Sequence, residues 1–323
     1  SRLFSKNIDD VSTREGYGLG LVEAGEKDER VVVLCADLTE STRSILFKEK
    51  FPERFVEVGV AEQLLATAAA GMANYGKIPF ISSYAAFSPG RNWEQIRTTI
   101  ALNDVPVKIA GAHAGISVGP DGATHQMLED IAMMRVLPNM IVIVPGDSIE
   151  SKKATLALAK NGKPSYIRLT REKTPVFTTE DTLFEVGKAS VLWEGKKPEV
   201  GIVACGPLVY EALRAGKKLD DDGIETIVVN NHTIKPMDEG TILKVARLTG
   251  AIVTVEEHQI NGGMGSAVAE ILSKRFPVPI EYIGMPDSFG ESGEPNELLE
   301  KYGMKARHII EAAKRAITRK LQS

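Results

Sequence analysis

The stretch from Ile78 to Gly111 reads IPFISSYAAFSPGRNWEQIRTTIALNDVPVKIAG. It opens on a short apolar run, IPFISSY, passes through an irregular segment with a proline and a glycine, and takes up a helical pattern over NWEQIRTTIALND. It closes on a second apolar run, VPVKIAG. Strand, loop, helix and strand in that order make a crossover unit, and the two strands of such a unit lie parallel. The pattern continues on both sides. VVVLCAD and FVEVG come before it as strands, MIVIVPG and PSYIRLT come after it, and AEQLLATAAAGMANYG, QMLEDIAMMRVLP and SIESKKATLALAKNG are the other helices. Several of these helices close on Gly or Asn, as capped helices do.

Around TREKTPVFTTEDTLF (170–184) the periodicity fails and Thr, Pro and charge accumulate, which marks a domain boundary. A smaller set follows, with strands VGIVACG, IETIVVNN, AIVTVEE and IEYIGM, each succeeded by a helical pattern. The expectation is an α/β protein with two open, mostly parallel sheets covered by helices. A first domain spans 1–175, a linker 176–190 and a second domain 191–323.

A chain of 323 residues is longer than one hydrophobic core usually organises, which agrees with two domains. Its net charge of −4 supplies no electrostatic reason to bind nucleic acid or an anionic membrane, so small molecules are the expected partners. The two cysteines, Cys35 and Cys205, sit in apolar runs and read as reduced, buried thiols. No metal-ligand spacing occurs. The opening SRLFSKNIDDVSTREG has no apolar core of a signal peptide and no segment reaches membrane-spanning length, so a cytoplasmic protein is expected.

In open parallel sheets, ligands bind beyond the carboxyl ends of the strands. The residues placed there are Asp37, Glu62, Tyr84, His113, Asp121, His125, Asp147 and Arg171. Glu62 opens a helix whose own face continues with Ala66, Ala69 and Ala73, so its carboxylate is expected to be buried. Two readings follow: a structural Glu held by backbone donors, or a carboxyl group that shares a proton with a ligand nitrogen. Tyr84 and Phe87 read either as core packing or as a stack for a flat ligand. His113 and His125 are separated by a Gly-rich turn, so they do not form a helical metal pair, and Asp121 can simply turn that loop. Arg14, Arg91 and Arg171 are surface ion pairs or a phosphate clamp. In the second domain, EEHQINGGMGSAVAEIL matches a phosphate-binding glycine motif poorly and reads as a tight turn and close packing at a helix entrance, with anion binding as the lesser alternative.

Five segments in order then resemble one family, the thiamine-diphosphate-dependent transketolases: ADLTES (36–41), VGVAEQ (58–63), SYAAF (83–87), GAHAGISVGPDGATHQ (111–126) and IRLTR (167–171). The resemblance spans almost the whole chain and matches the family's pyrimidine-binding and C-terminal domains. It implies that Glu62 bonds the aminopyrimidine nitrogen and promotes the tautomer that activates the cofactor. Tyr84 and Phe87 would stack on the pyrimidine, with Asp37 close to the cofactor. Asp121, His113 and His125 would bind sugar hydroxyls and steady charge during the reaction. Arg14, Ser41, Arg171 and His113 would anchor the substrate phosphate. Arg91 joins the substrate-binding set, although SPGRNW is one residue longer than in many members.

The family's first domain carries a GDG…N motif that holds the diphosphate through Mg²⁺, and no GDG occurs here. The resemblance therefore implies a separate N-terminal subunit with that motif, an α2β2 assembly, thiamine diphosphate and Mg²⁺ as cofactors, and sugar phosphates as substrates. The alternatives are a subunit of a 1-deoxy-D-xylulose-5-phosphate synthase-like enzyme and a non-catalytic scaffold of the same fold. A 2-oxoacid dehydrogenase β subunit would not be expected to carry DGATHQ.

Overall fold

The computed structural model describes residues 2–4 and 8–322, so positions 1, 5–7 and 323 of the expected domains lie outside the described residues. In chain order the first part supplies β1 (Asp10–Ser12), β2 (Val31–Cys35), β3 (Phe55–Glu57), β4 (Ile78–Tyr84), β5 (Lys108–Ala112), β6 (Ile141–Ile143), β7 (Ser165–Arg168) and β8 (Lys173–Pro175). The remainder supplies β9 (Ser190–Glu194), β10 (Val200–Ala204), β11 (Thr226–Asn230), β12 (Thr233–Lys235), β13 (Ile252–Gln259) and β14 (Ile280–Met285).

Seven strands form the larger sheet in the order β12-β6-β7-β5-β4-β2-β3, and all pairs but β12–β6 are parallel. Five form the second sheet, β14-β13-β10-β11-β9, parallel except for β9. Two mostly parallel sheets covered by helices are what the alternating pattern required. The small antiparallel ribbon β1–β8, the edge strand β9 and the crossing strand β12 were not anticipated. They lie outside the alternation of apolar runs with helical patterns that marked the other strands.

Strand β12 comes from the second sequence unit yet closes the edge of the first sheet. The three-residue β6 would otherwise leave its backbone unpaired on one side. Beyond the ladder, the Val144 amide donates to the His232 carbonyl at 2.8 Å. One apolar cluster accordingly runs through both units, from Leu34, Leu65 and Ile109 to Val203, Val229 and Ile234. Both cysteines are buried and free, as expected.

Helix Thr13–Lys27 was missed because its four glycines lower helix propensity and blur the apolar stripe. Those glycines allow close contact with helix Ser148–Lys160. A Cβ on Gly16 would lie 1.9 Å from the Ser148 carbonyl oxygen, and one on Gly20 would lie 2.7 Å from Thr155. The helix expected over 92–104 is α-helical only at Trp93–Gln95 and widens to a π-helix over Ile96–Ala101. The one expected over 126–138 shortens to Asp130–Arg135, because the segment before it is drawn into the site loop.

Candidate functional site

Strands β7, β5, β4 and β2 are consecutive neighbours, so the loops leaving their carboxyl ends are adjacent. Three non-glycine residues in these loops adopt left-handed backbone: Asp37 (φ 57°), Arg43 (φ 64°) and His113 (φ 53°). Such conformations cost free energy and are held by surrounding structure, and they concentrate where side chains must be aimed.

Four rings meet at the ends of β4 and β5. Tyr84 stacks on His113 with centroids 3.9 Å apart and on Phe87 at 6.1 Å. His125 stands edge-on to both Tyr84 and Phe87, at 6.3 and 5.5 Å. His125 Nδ1 is 2.9 Å from the Thr124 hydroxyl. Burial, then Arg14, Arg171 and His125, push the His113 imidazole down to about 3, so it is neutral near pH 7. Its Nε2 faces Arg14 Nη1 at 3.5 Å. A guanidinium only donates, so Nε2 is the acceptor and Nδ1 carries the hydrogen. That Nδ1 is buried without a partner, a donor which an oxygen of a ligand would satisfy.

Glu62 is the first residue of helix Glu62–Asn74, and it is 2% exposed. Leu65, Ala66, Ala69 and Ala73 are buried with it, as the apolar face predicted. Its Oε2 accepts from Arg91 Nη1 at 2.7 Å, and its carbonyl accepts from Asn92 Nδ2 at 2.8 Å. The Arg91 guanidinium also lies over the Phe87 ring at 5.0 Å, while half of its side chain faces solvent. Neither sequence reading of Glu62 included this internal cation. Arg91 lies with the Glu62 carboxylate and an aromatic face, away from the guanidinium group of Arg14 and Arg171.

That group gathers opposite. Arg14 Nη1 donates to the Ser41 carbonyl at 2.8 Å, and Arg171 Nη1 donates to the Val118 carbonyl at 2.8 Å. Asp121 Oδ1 is 3.7 Å from Arg171. Burial, with the charges of Arg43 and Arg171, lowers the Arg14 pKa. Arg43, paired with Glu15 at 2.8 Å, is therefore a third guanidinium at this end, and it was overlooked within ADLTESTRS. Asp37 stands apart from these contacts: its amide donates to Glu57 Oε1 at 2.7 Å, and Glu57 also accepts from Thr39 and Gly59. Asp147 is structural. Its carboxylate caps helix Ser148–Lys160 and takes the amides of Phe177 and Thr178.

A buried carboxylate joined through Arg91 to stacked rings fits an aminopyrimidine, and the guanidiniums of Arg14, Arg43 and Arg171 fit an anion. Among the described residues no group of three or more His, Cys, Asp or Glu could hold a metal ion, and no helix is long and apolar enough to cross a membrane.

The fold defines an α/β protein in which two mostly parallel sheets share an apolar core. The family description "Transketolase, pyrimidine binding domain" matches residues 9–176, and "Transketolase, C-terminal domain" matches residues 187–309. This chain belongs to the transketolase family. A provisionally named transketolase C-terminal section from Methanocaldococcus jannaschii is 45% identical, over 94% of this chain and 96% of its own. A 6-deoxy-6-sulfo-D-fructose transketolase subunit from Clostridium sp. is 39% identical over 98% of both. A solved structure described as a split gene transketolase, inactive β4 tetramer, superposes with a TM-score of 0.89 at 47% identity, over 95% of this chain and 99% of that one. The family implies dependence on thiamine diphosphate.

Proposed function

We propose that this chain is the subunit of a transketolase that moves a two-carbon ketol unit from a ketose phosphate to an aldose phosphate. It would act in the cytoplasm, in an α2β2 assembly with a separate N-terminal subunit whose GDG…N motif holds Mg²⁺ and the diphosphate. Residues 1–175 would be its pyrimidine-binding domain and 191–323 its C-terminal domain, joined by 176–190. The observation that carries this reading is the buried Glu62 carboxylate, joined through Arg91 to the Phe87 ring that stacks on Tyr84. Relatives of the same length named as a section or a split-gene product support a separate partner.

When bound, thiamine diphosphate supplies the nucleophilic carbon and the electron sink of a ketol transfer. Glu62 would hold a proton at the pyrimidine nitrogen, and Tyr84 and Phe87 would fix the plane of that ring. For this, Arg91 must release or share Oε2, and its exposed position lets it turn into solvent. The buried Nδ1–H of His113, with His125 and Asp121, would orient sugar oxygens, and their fixed directions would favour charge developing there. Arg14, Ser41 and Arg171 would hold the phosphate, placing the sugar for reaction. Asp37 would line the cofactor's surroundings.

The scaffold alternative cannot be set aside by the cost of a lone buried carboxylate, because Arg91 already pairs with Glu62. The unpartnered His113 Nδ1 is the better argument for a ligand. A sulfonated ketose is a second donor to assay, since guanidiniums pair with sulfonate as with phosphate and one relative is named for it. The test mixes the purified chain with its N-terminal counterpart, thiamine diphosphate and Mg²⁺. Ketol transfer from xylulose 5-phosphate is expected. Deoxyxylulose phosphate and carbon dioxide from pyruvate would replace the reading by the synthase, and cofactor binding with no transfer from either sugar class would replace it by the scaffold.

A further inference from the structure

The loop at 115–122 carries Asp121, begins two residues after His113, and is held from two sides. From the first unit, Gln126 Nε2 donates to the carbonyls of Ile116 and Gly119 at 3.2 and 3.1 Å, and Arg171 takes that of Val118. From the second unit, Glu257 on β13 reaches across, and its Oε1 accepts the Ser117 amide at 2.6 Å. Glu257 is itself held: Arg168 Nη2 donates to its carbonyl at 2.8 Å, and Arg168 is pinned to Asp130 at 2.7 Å in a fully buried pair. Tyr166 closes that group with a 2.6 Å bond to the same Asp130 oxygen. The fit around Glu257 leaves no slack. A Cβ on Gly115 (φ 93°) would lie 2.4 Å from Glu257 Oε1 and 2.5 Å from its Cδ.

We infer that Glu257 is a positioning residue for the sugar end of the substrate: without touching substrate, it sets the loop that presents Asp121 and follows His113. The inference rests on the proposed ketol transfer for its kinetic consequence, while the loop contact stands on geometry alone. It gives the C-terminal domain a task inside the pyrimidine domain's site. A carboxylate is suited to this because Ser117 presents a backbone donor that, once buried, needs an acceptor. The pairing spans 140 residues of sequence.

Hydrogen exchange across residues 115–122 in the full chain tests the contact, and kinetics of the reconstituted enzyme test its consequence. Glu257→Ala should raise exchange at the Ser117 amide about ten-fold or more, the order expected for losing a buried hydrogen bond. It should raise the ketose donor KM and lower kcat/KM by about ten-fold or more, because the loop sets groups that both bind the sugar and steady developing charge. Glu257→Gln, which keeps an acceptor oxygen, should restore both. Gly115→Ala pushes the loop off Glu257 from the opposite side and should reproduce the Ala phenotype, which keeps the test alive if Glu257→Ala does not fold. Unchanged exchange in Glu257→Ala and Gly115→Ala, or a kcat loss with unchanged KM, overturns the inference. Exchange that rises in an assembly lacking ketol transfer keeps the positioning contact and overturns the catalytic reading alone.

Discussion

Glu62 and Glu256 are two buried carboxylates at the carboxyl-terminal side of parallel sheets, each beside the start of a helix, and they have opposite fates. Glu256 Oε2 accepts from the Met264 amide at 2.7 Å and Oε1 from the Gly265 amide at 2.8 Å, so its own unit consumes both oxygens. A Cβ on Gly263 would sit 2.2 Å from it. The helix entrance of the second unit is thereby plugged, and burial pushes the Glu256 carboxyl up despite these donors and His258. Glu62 instead meets Arg91, a half-exposed side chain on a loop. A buried carboxylate whose partner is a half-exposed side chain can be freed for a ligand, whereas one whose partners are backbone amides stays committed to the fold.

Perturbing the first carboxylate should change chemistry, and perturbing the second should change stability. The largest effect is expected for Glu62→Gln in the reconstituted enzyme, where turnover should fall ~10²–10⁴-fold while thiamine diphosphate still binds. Turnover near that of the wild type would place Glu62 with Glu256 as a structural residue. Next, Glu256→Ala strands two buried amides and should cost about 1–3 kcal/mol, read as a lower denaturant midpoint. Activity per folded molecule should hold, and a kinetic defect without loss of stability would erase the contrast.

The effect that vanishes at neutral pH concerns acid. His113 titrates near 3 in the folded chain against an ordinary 6.5, so the unfolded chain takes up a proton that the folded one refuses between those values. Its contribution is therefore complete above 6.5 and declines as pH falls toward 3, at no more than about 1.4 kcal/mol per pH unit. His113→Gln should flatten the stability profile between pH 6.5 and 5, with His232, pushed down to about 4 by burial, keeping its own share. An unchanged slope in the variant would show that His113 takes up protons as freely folded as unfolded.

Much of this was legible beforehand where one short segment contained both the pattern and the consequence. The alternation around Ile78–Gly111 decided parallel sheets, and the alanine face behind Glu62 decided its burial. The glycine cluster at 262–265 was read as close packing, and the Gly263 and Gly265 contacts bear that out. Helix Thr13–Lys27 was not legible, because glycines that lower helix propensity are there for a contact with a helix more than a hundred residues away. Arg91 was expected among the substrate-binding residues, and its pairing with Glu62 was not foreseen, since an exposed arginine in a loop can reach several acceptors.

What the sequence determined alone was which residues sit at strand ends and which helix faces are apolar, because strand alternation and helix periodicity are local properties of the backbone. What tertiary structure alone decided was the pairing among them: β12 on the edge of the first sheet, Arg91 on Glu62, and Glu257 beneath the Ser117 amide. Each pairing joins groups far apart in sequence whose bonding needs could be met in several ways. Only folding, which leaves buried donors and acceptors few alternatives to water, selects one of them.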